Sequence, residues 1–191
     1  TQRSFDVLSL PLTGALPASA FGFAEDHRLT VEAFTLYLAH LKPGGVLSVT
    51  QYILPPPRAE LRTLATLVEA ARGIGILDAA LHCIAVRSWD TITILFTRLP
   101  LTQQQVAAAR EFCRANRFDL VHCPGIAPVG AGRYVRMPDD AYPAAFSAIL
   151  APERRQAFLS SYLFDVRPVH DENPFAHYFL RLQNIRQIYR T

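Results

Sequence analysis

Cysteine is scarce in this chain of 191 residues. The three present, Cys83, Cys113 and Cys123, are odd in number, widely spaced and never arranged as CxxC, so neither a disulfide framework nor a zinc site is suggested. Buried free thiols in a reducing compartment are expected instead. No apolar run approaches the ~20 residues that a membrane-crossing helix needs, and no basic stretch followed by an apolar core opens the chain. The segment itself therefore reads as soluble. Charge of one sign is also lacking: 19 basic residues face 16 acidic ones for a net charge of +3. The arginines are scattered rather than gathered into a stripe, which argues against a nucleic-acid partner. No internal repeat and no low-complexity segment breaks the chain.

What is present is the composition of a packed globule, 50% hydrophobic and 18% charged, long enough for one domain with a sizeable core. Ser4 to Leu10 (SFDVLSL) reads as a short buried strand stopped by Pro11 and Gly14. It follows Thr1 almost at once, and the expectation is that the chain was cut from a longer protein. Thr13 to Asp26 reads as loop. Thr30 is placed to cap a helix carrying Val31, Phe34, Leu38 and Leu41 at helical spacing up to Pro43-Gly44-Gly45. VLSVTQY (Val46 to Tyr52) then reads as a second strand.

Pro55, Pro56 and Pro57 lead into a helix with Leu61, Leu64, Ala65, Val68 and Ala71 on one face, ended by Gly73. HCIAVRS (His82 to Ser88) and TITILFTR (Thr91 to Arg98) are β-branched runs separated only by Trp89-Asp90, which predicts an antiparallel hairpin. Thr102 with Gln105 forms a capping box for a helix ending near Asn116, and Phe118 to Cys123 reads as another short strand. Pro138 to Tyr162 reads as two short helices broken at Pro152. Asn173 to Tyr189 reads as a closing helical or extended tail. The alternation predicts an α/β fold with parallel strands, helices on both faces and a closing antiparallel hairpin.

The succession FDVLSL, TVEAFTLYLAHLKPGGVLSV and HCIAVRSWDTITILFTR resembles the fourth strand onward of class I S-adenosylmethionine-dependent enzymes, and spermidine-synthase-like proteins most of all. RFDLVHCPGI and the closing VRPVHDENPFAHYF extend the resemblance from about Ser4 to about Tyr178. The tail resembles one found in bacterial relatives that often carry membrane spans upstream. The resemblance implies a partial Rossmann-like methyltransferase sheet over residues 1–125 and a helical extension over 126–191 packed on it. It also implies a cytoplasmic domain, tied to an inner membrane only through upstream segments. The parent protein would use S-adenosylmethionine or decarboxylated S-adenosylmethionine.

Such enzymes hold the cofactor with a glycine-rich loop after the first strand and an acidic residue after the second. No GxGxG-like segment precedes a helix here. The fragment alone is therefore expected to bind no cofactor and to be inactive, with the missing part in the upstream half of the parent. Aminopropyltransferases also place aspartates at the carboxyl end of the fourth strand, where a carboxylate deprotonates the attacking amine. Ser9-Leu10-Pro11-Leu12-Thr13 stands there instead. Asp6 matches the strand-entry aspartate of the family and is expected to be structural. An uncovered first strand would also invite a homodimer by edge pairing.

In sheets of this type ligands bind beyond the carboxyl ends of the parallel strands. Thr13, Gln51 and Tyr52 supply polar groups there, and Trp89 and Asp90 in the hairpin turn either line a pocket or anchor packing. Asp171 and Glu172, beside an aromatic, either receive a cationic substrate or leave Asp171 or Asn173 to cap the last helix. His170, Asp171, Glu172 and His177 fit no metal-binding helix pattern such as HExxH, and no metal is expected. His122 and Cys123, adjacent on a strand, point to opposite faces and do not make a nucleophile and base. Two functions stay open: the acceptor-side half of a transferase, or a non-catalytic module that binds a ligand or partner on the same scaffold.

Overall fold

The structure, a computed structural model, describes residues 3–12, 24–53, 55–125, 133–137 and 141–184. Five β-branched or apolar segments form strands: β1 (Phe5–Leu10), β2 (Leu41–Tyr52), β3 (Cys83–Arg87), β4 (Thr91–Thr97) and β5 (Asp119–His122). They make one sheet in the order β1-β2-β4-β3-β5. β1 runs parallel to β2, with Leu8 opposite Leu47 and Leu10 opposite Val49. Every other pairing is antiparallel.

The expectation of a mainly parallel sheet is thus corrected: parallel pairing is confined to β1 and β2. The reason lies in the β3–β4 hairpin, whose tight turn is closed by the Ser88 amide on the Thr91 carbonyl at 2.8 Å. β4 returns and inserts between β2 and β3, so these two strands point the same way and never touch. β5 then adds antiparallel to β3 at the far edge.

The start of β2 also differs from expectation, since the strand begins at Leu41 and not after the glycines. The Phe5 amide donates to the His40 carbonyl at 2.9 Å. Phe5 sits opposite Leu41 while Val7 sits opposite Val46, so the intervening residues of β2 bulge. LKPGG is therefore a bulge inside a strand more than a stop before one. A Cβ on Gly45 would stand 2.8 Å from the Phe5 carbonyl oxygen and 3.1 Å from that of Lys42, which is why this position needs glycine.

The helices are α1 (Val31–Ala39), α2 (Ala59–Gly73), α3 (Gln103–Asn116), α4 (Tyr142–Leu150) and α5 (Pro152–Ser161). Thr30 caps α1 by accepting from the Ala33 amide at 3.2 Å, and Thr102 with Gln105 makes the expected capping box on α3. α4 and α5 are separated at Ala151–Pro152, as the proline predicts. Leu47, Val49, Ile92, Ile94 and Phe96 face one side of the sheet and share a single core with Phe34, Leu38, Leu64, Val68, Phe146 and Ile149. α1, α2 and α4 thus cover that face, and α3 lies over the other. Among the described residues no helix is long and apolar enough to cross a membrane.

α2 departs most from its sequence pattern. Its apolar stripe predicts one buried face, yet Glu60 through Val68 are all buried. The outer side is covered by the C-terminal third of the chain, where the Val169 amide donates to Thr66 Oγ1 at 3.2 Å. Part of what reads as a solvent face is a second packing face.

Gly45→Ala is expected to destabilise the protein by about 1–3 kcal/mol through overpacking against backbone that cannot yield. Gly44→Ala, where an added Cβ meets nothing within 4 Å, is expected to change stability by less than about 0.5 kcal/mol. Urea denaturation of the two variants side by side measures the difference.

Candidate functional site

A ligand crevice is expected beyond the carboxyl ends of the parallel strands β1 and β2; residues 13–23, which follow β1, lie outside the described ones, and the end of β2, with that of β3 beside it, carries buried polar side chains. Gln51 alternates onto the core face of β2, where its Nε2 donates to Thr63 Oγ1 at 3.0 Å. Arg87, the last residue of β3, is 0% exposed. Its Nη2 donates to Asp119 Oδ2 at 3.1 Å and to the Val135 carbonyl at 3.2 Å. The Asp119 carboxylate also accepts from the Tyr134 and Val135 amides, both at 2.9 Å. The guanidinium of Arg87 lies 5.6 Å from the Tyr142 ring centroid, and the Tyr142 hydroxyl donates to Glu60 Oε1. Side chains from β3, β5, α4 and α2 meet in this chain of buried polar groups, joined by the Tyr134–Val135 connection.

A second polar assembly lies on the helix layer. Residues 169–177 run as a strap past the segment that opens α1, held by two backbone bonds of 2.8 Å, Asp26 amide to Pro174 carbonyl and Val31 amide to Val169 carbonyl. Three histidine–carboxylate pairs cross the same seam: His170 with Glu32 at 3.0 Å, His27 with Asp171 at 3.4 Å and His177 with Asp26 at 3.6 Å. Burial would raise the Asp26 carboxyl, but bonds from His177 and Arg28 hold it far below the usual range. Glu32, slightly raised by burial, is likewise held down by His170 and the Asp171 amide. Asp171 is lowered by the Thr30 hydroxyl first and by His27 after it.

Behind the strap opens a cleft of about 650 Å³, whose polar lining is Arg62, Asp165, Arg167, His170, Glu172 and Asn173. Arg62 is buried, and its Nη1 donates to the Phe175 and Tyr178 carbonyls at 2.9 and 2.6 Å. Burial pushes it down to about 10, with Asp165 opposing, so it stays a cation at neutral pH. Asp165 gathers three guanidinium groups, from Arg167 at 2.7 Å, Arg62 at 3.4 Å and Arg181 at 3.9 Å. Burial raises its carboxyl, but Arg167 and Arg62 outweigh it and hold the group down to about 2. Among the described residues no serine, cysteine or lysine lines the cleft. The arrangement is built to hold charge in place.

The residues singled out from sequence fall into three places. Gln51 is turned inward on Thr63. Tyr52, half-buried, sits opposite Thr91 beside the hairpin turn, where Trp89 is 84% exposed and the Asp90 carbonyl accepts from the Ile53 amide at 2.8 Å. Asp171 and Glu172 lie on the strap, the first facing Thr30 and His27, the second lining the cleft. Thr13 lies outside the described residues. Of the two readings left open for Asp171, the capping one is corrected: 173–181 forms turns and extended chain, and Asp171 braces the start of α1.

Asp6 pairs with Lys42 at 2.7 Å across the β1–β2 bulge, a structural contact at the surface. Cys83, Cys113 and Cys123 are free and buried. Burial pushes the Cys123 thiol up to about 11 and Cys83 higher still. His122 bonds the Ala80 carbonyl at 3.1 Å. Among the described residues no group of histidine, cysteine and acidic side chains is placed to hold a metal.

Sequence reasoning missed Arg62, Asp165 and Arg167, and it missed Arg87 with Asp119. A signal existed for the last pair: an arginine closing an apolar strand and an aspartate opening another. The seam carboxylates Asp26 and Glu32 carried none, because the histidines they meet, His177 and His170, lie 138 or more residues away.

Asp119→Ala removes one half of the buried pair and leaves the Arg87 charge in the core, so a loss of about 3–5 kcal/mol is expected by chemical denaturation. For the strap the sign follows from the lowered carboxyls of Asp26, Glu32 and Asp171. Their stabilisation is fully present above the unfolded carboxyl values, near pH 4, and is lost as pH falls through the folded ones. The protection factors of the 169–177 amides, exchange rates referred to the intrinsic rate at each pH, are expected to fall on acidification below about pH 4, and Asp26→Asn to show the lower protection already at neutral pH. Compared with known proteins, the chain matches no protein-family model and no curated sequence.

Proposed function

We propose that this chain is the acceptor-side half of an S-adenosylmethionine-type transferase, of the spermidine-synthase-like kind, and that it does not catalyse alone. The observation that carries the reading is the strand order, in which a reversed hairpin strand is inserted next to a parallel pair. A partial methyltransferase sheet running from its fourth strand to its end has the order of β1, β2, β4 and β3, to which β5 is an addition at the far edge. Few other α/β sheets close by sending the last strand of a hairpin back inside.

The buried groups at the ends of β2 and β3 support the same division of labour. Gln51 and Arg87 fill those ends, and the nucleoside is assigned to the outer side of β1. β1 is the edge of the described sheet, with Val7 62% exposed. Strands bearing a glycine-rich cofactor loop, from the upstream half of a parent protein, would add at this edge. They would bring S-adenosylmethionine or its decarboxylated form to the loop after Leu10. A second copy pairing through β1 is the other way to cover it.

A binding module that has lost the chemistry is favoured by one observation, the carboxyl end of β1 itself. Ser9, Leu10, Pro11 and Leu12 offer no carboxylate to activate an acceptor amine.

The reading frame upstream of Thr1 is expected to encode a glycine-rich loop after a strand and an acidic residue after the next strand. Without that pair the binding-module reading replaces the transferase. On the isolated chain, calorimetry with S-adenosylmethionine and methylthioadenosine is expected to give no binding heat. A saturable heat would mean that the cofactor site lies within these residues and would overturn the proposed division.

A further inference from the structure

The second face of the sheet is incompletely packed. α3 covers it but seats only one fully buried residue, Cys113, while Phe112 remains 57% exposed. Beneath the helix, Val86, Thr93 and Leu95 stay half-buried. Between helix and sheet lies a cavity of about 580 Å³ with apolar walls from Val86, Leu95, Ala109, Phe112 and Phe118. Its polar lining is three hydroxyls, Ser88, Thr91 and Thr93, and the Cys113 thiol, which burial pushes up so that it stays protonated. Among the described residues no charged side chain lines it.

We propose that this cavity is a binding site for a neutral, largely apolar small molecule bearing one hydrogen-bonding group. The body of the molecule lies between α3 and the sheet, and its polar group meets the hydroxyls of Thr93 or of the Ser88–Thr91 pair, which are 2.7 Å apart.

Three features select this occupant. An ionised group placed here would have no counter-charge, and burying one unpaired is costly. The volume and the apolar walls with few hydroxyls match the pockets that bury small ligands. An apolar molecule filling the space restores contacts that α3 does not make with the sheet.

The test uses the single tryptophan of the chain. Trp89 sits in the hairpin turn between Ser88 and Thr91, two residues of the cavity lining. N-phenyl-1-naphthylamine is neutral and apolar with one N–H, and serves as the probe. Titrated into the protein it is expected to bind saturably, to accept excitation energy from Trp89 and to be displaced by decan-1-ol. Ala109→Phe, which fills the cavity from α3, is expected to weaken the probe by about tenfold.

Should Ala109→Phe fail to fold, alkylation of Cys113 in the unaltered protein, read by mass spectrometry, takes its place, and the probe is expected to slow it. A titration that does not saturate, an equal affinity in folded Ala109→Phe, or Cys113 alkylation indifferent to the probe would each overturn the proposal.

Discussion

Arg87 ends a core strand with its guanidinium at 0% exposure, and much of the architecture follows from what must be brought to it. A buried cation is tolerated only if a counter-charge and acceptors come with it. Asp119 arrives on the next strand, Val135 from the connection that follows, and the Tyr142 ring from the first residue of α4. Tyr142 in turn engages Glu60 at the start of α2. One charge therefore ties the far edge of the sheet, the C-terminal third and the central helix to one another. It also fills the end of β3, in register through Ile92 with the buried Gln51 on β2.

That filling changes how the sheet presents itself. In an open α/β sheet the carboxyl ends of the strands are the natural place for a ligand, but here Gln51 and Arg87, both buried, fill that place on β2 and β3. The two faces are unequal as well. One is covered by α1, α2 and α4 around a continuous core, whereas the other carries α3 alone among the elements described and retains a cavity. A close-packed interior does not leave such a space without cost, so the contrast marks where occupants from outside the fold belong.

The C-terminal strap completes the picture by acting on α2. Arg62 is buried on that helix because the Phe175 and Tyr178 carbonyls and Asp165 come to it from more than a hundred residues away. The strap is itself held by ion pairs and backbone bonds to the opening of α1. Helix burial and strap docking are thus one event. The central helix cannot keep its charged residue inside unless the tail is in place.

The sequence by itself determined the local elements and their type. Capping residues at Thr30 and Thr102, the hairpin across Trp89-Asp90 and the break at Pro152 act over a few residues, and each leaves a local signature. The parallel pairing of the first two strands was also legible, since a helix between strands forces a crossover. Only the tertiary structure decided that LKPGG is a bulge, that α2 is buried all round, and that the tail braces α1 and not a helix of its own. It also brought Arg87 to Asp119 and the strap histidines to their carboxylates. Those outcomes depend on long-range pairs and on the close approach of backbone at Gly45, and periodicity carries no record of contacts made between distant parts of the chain.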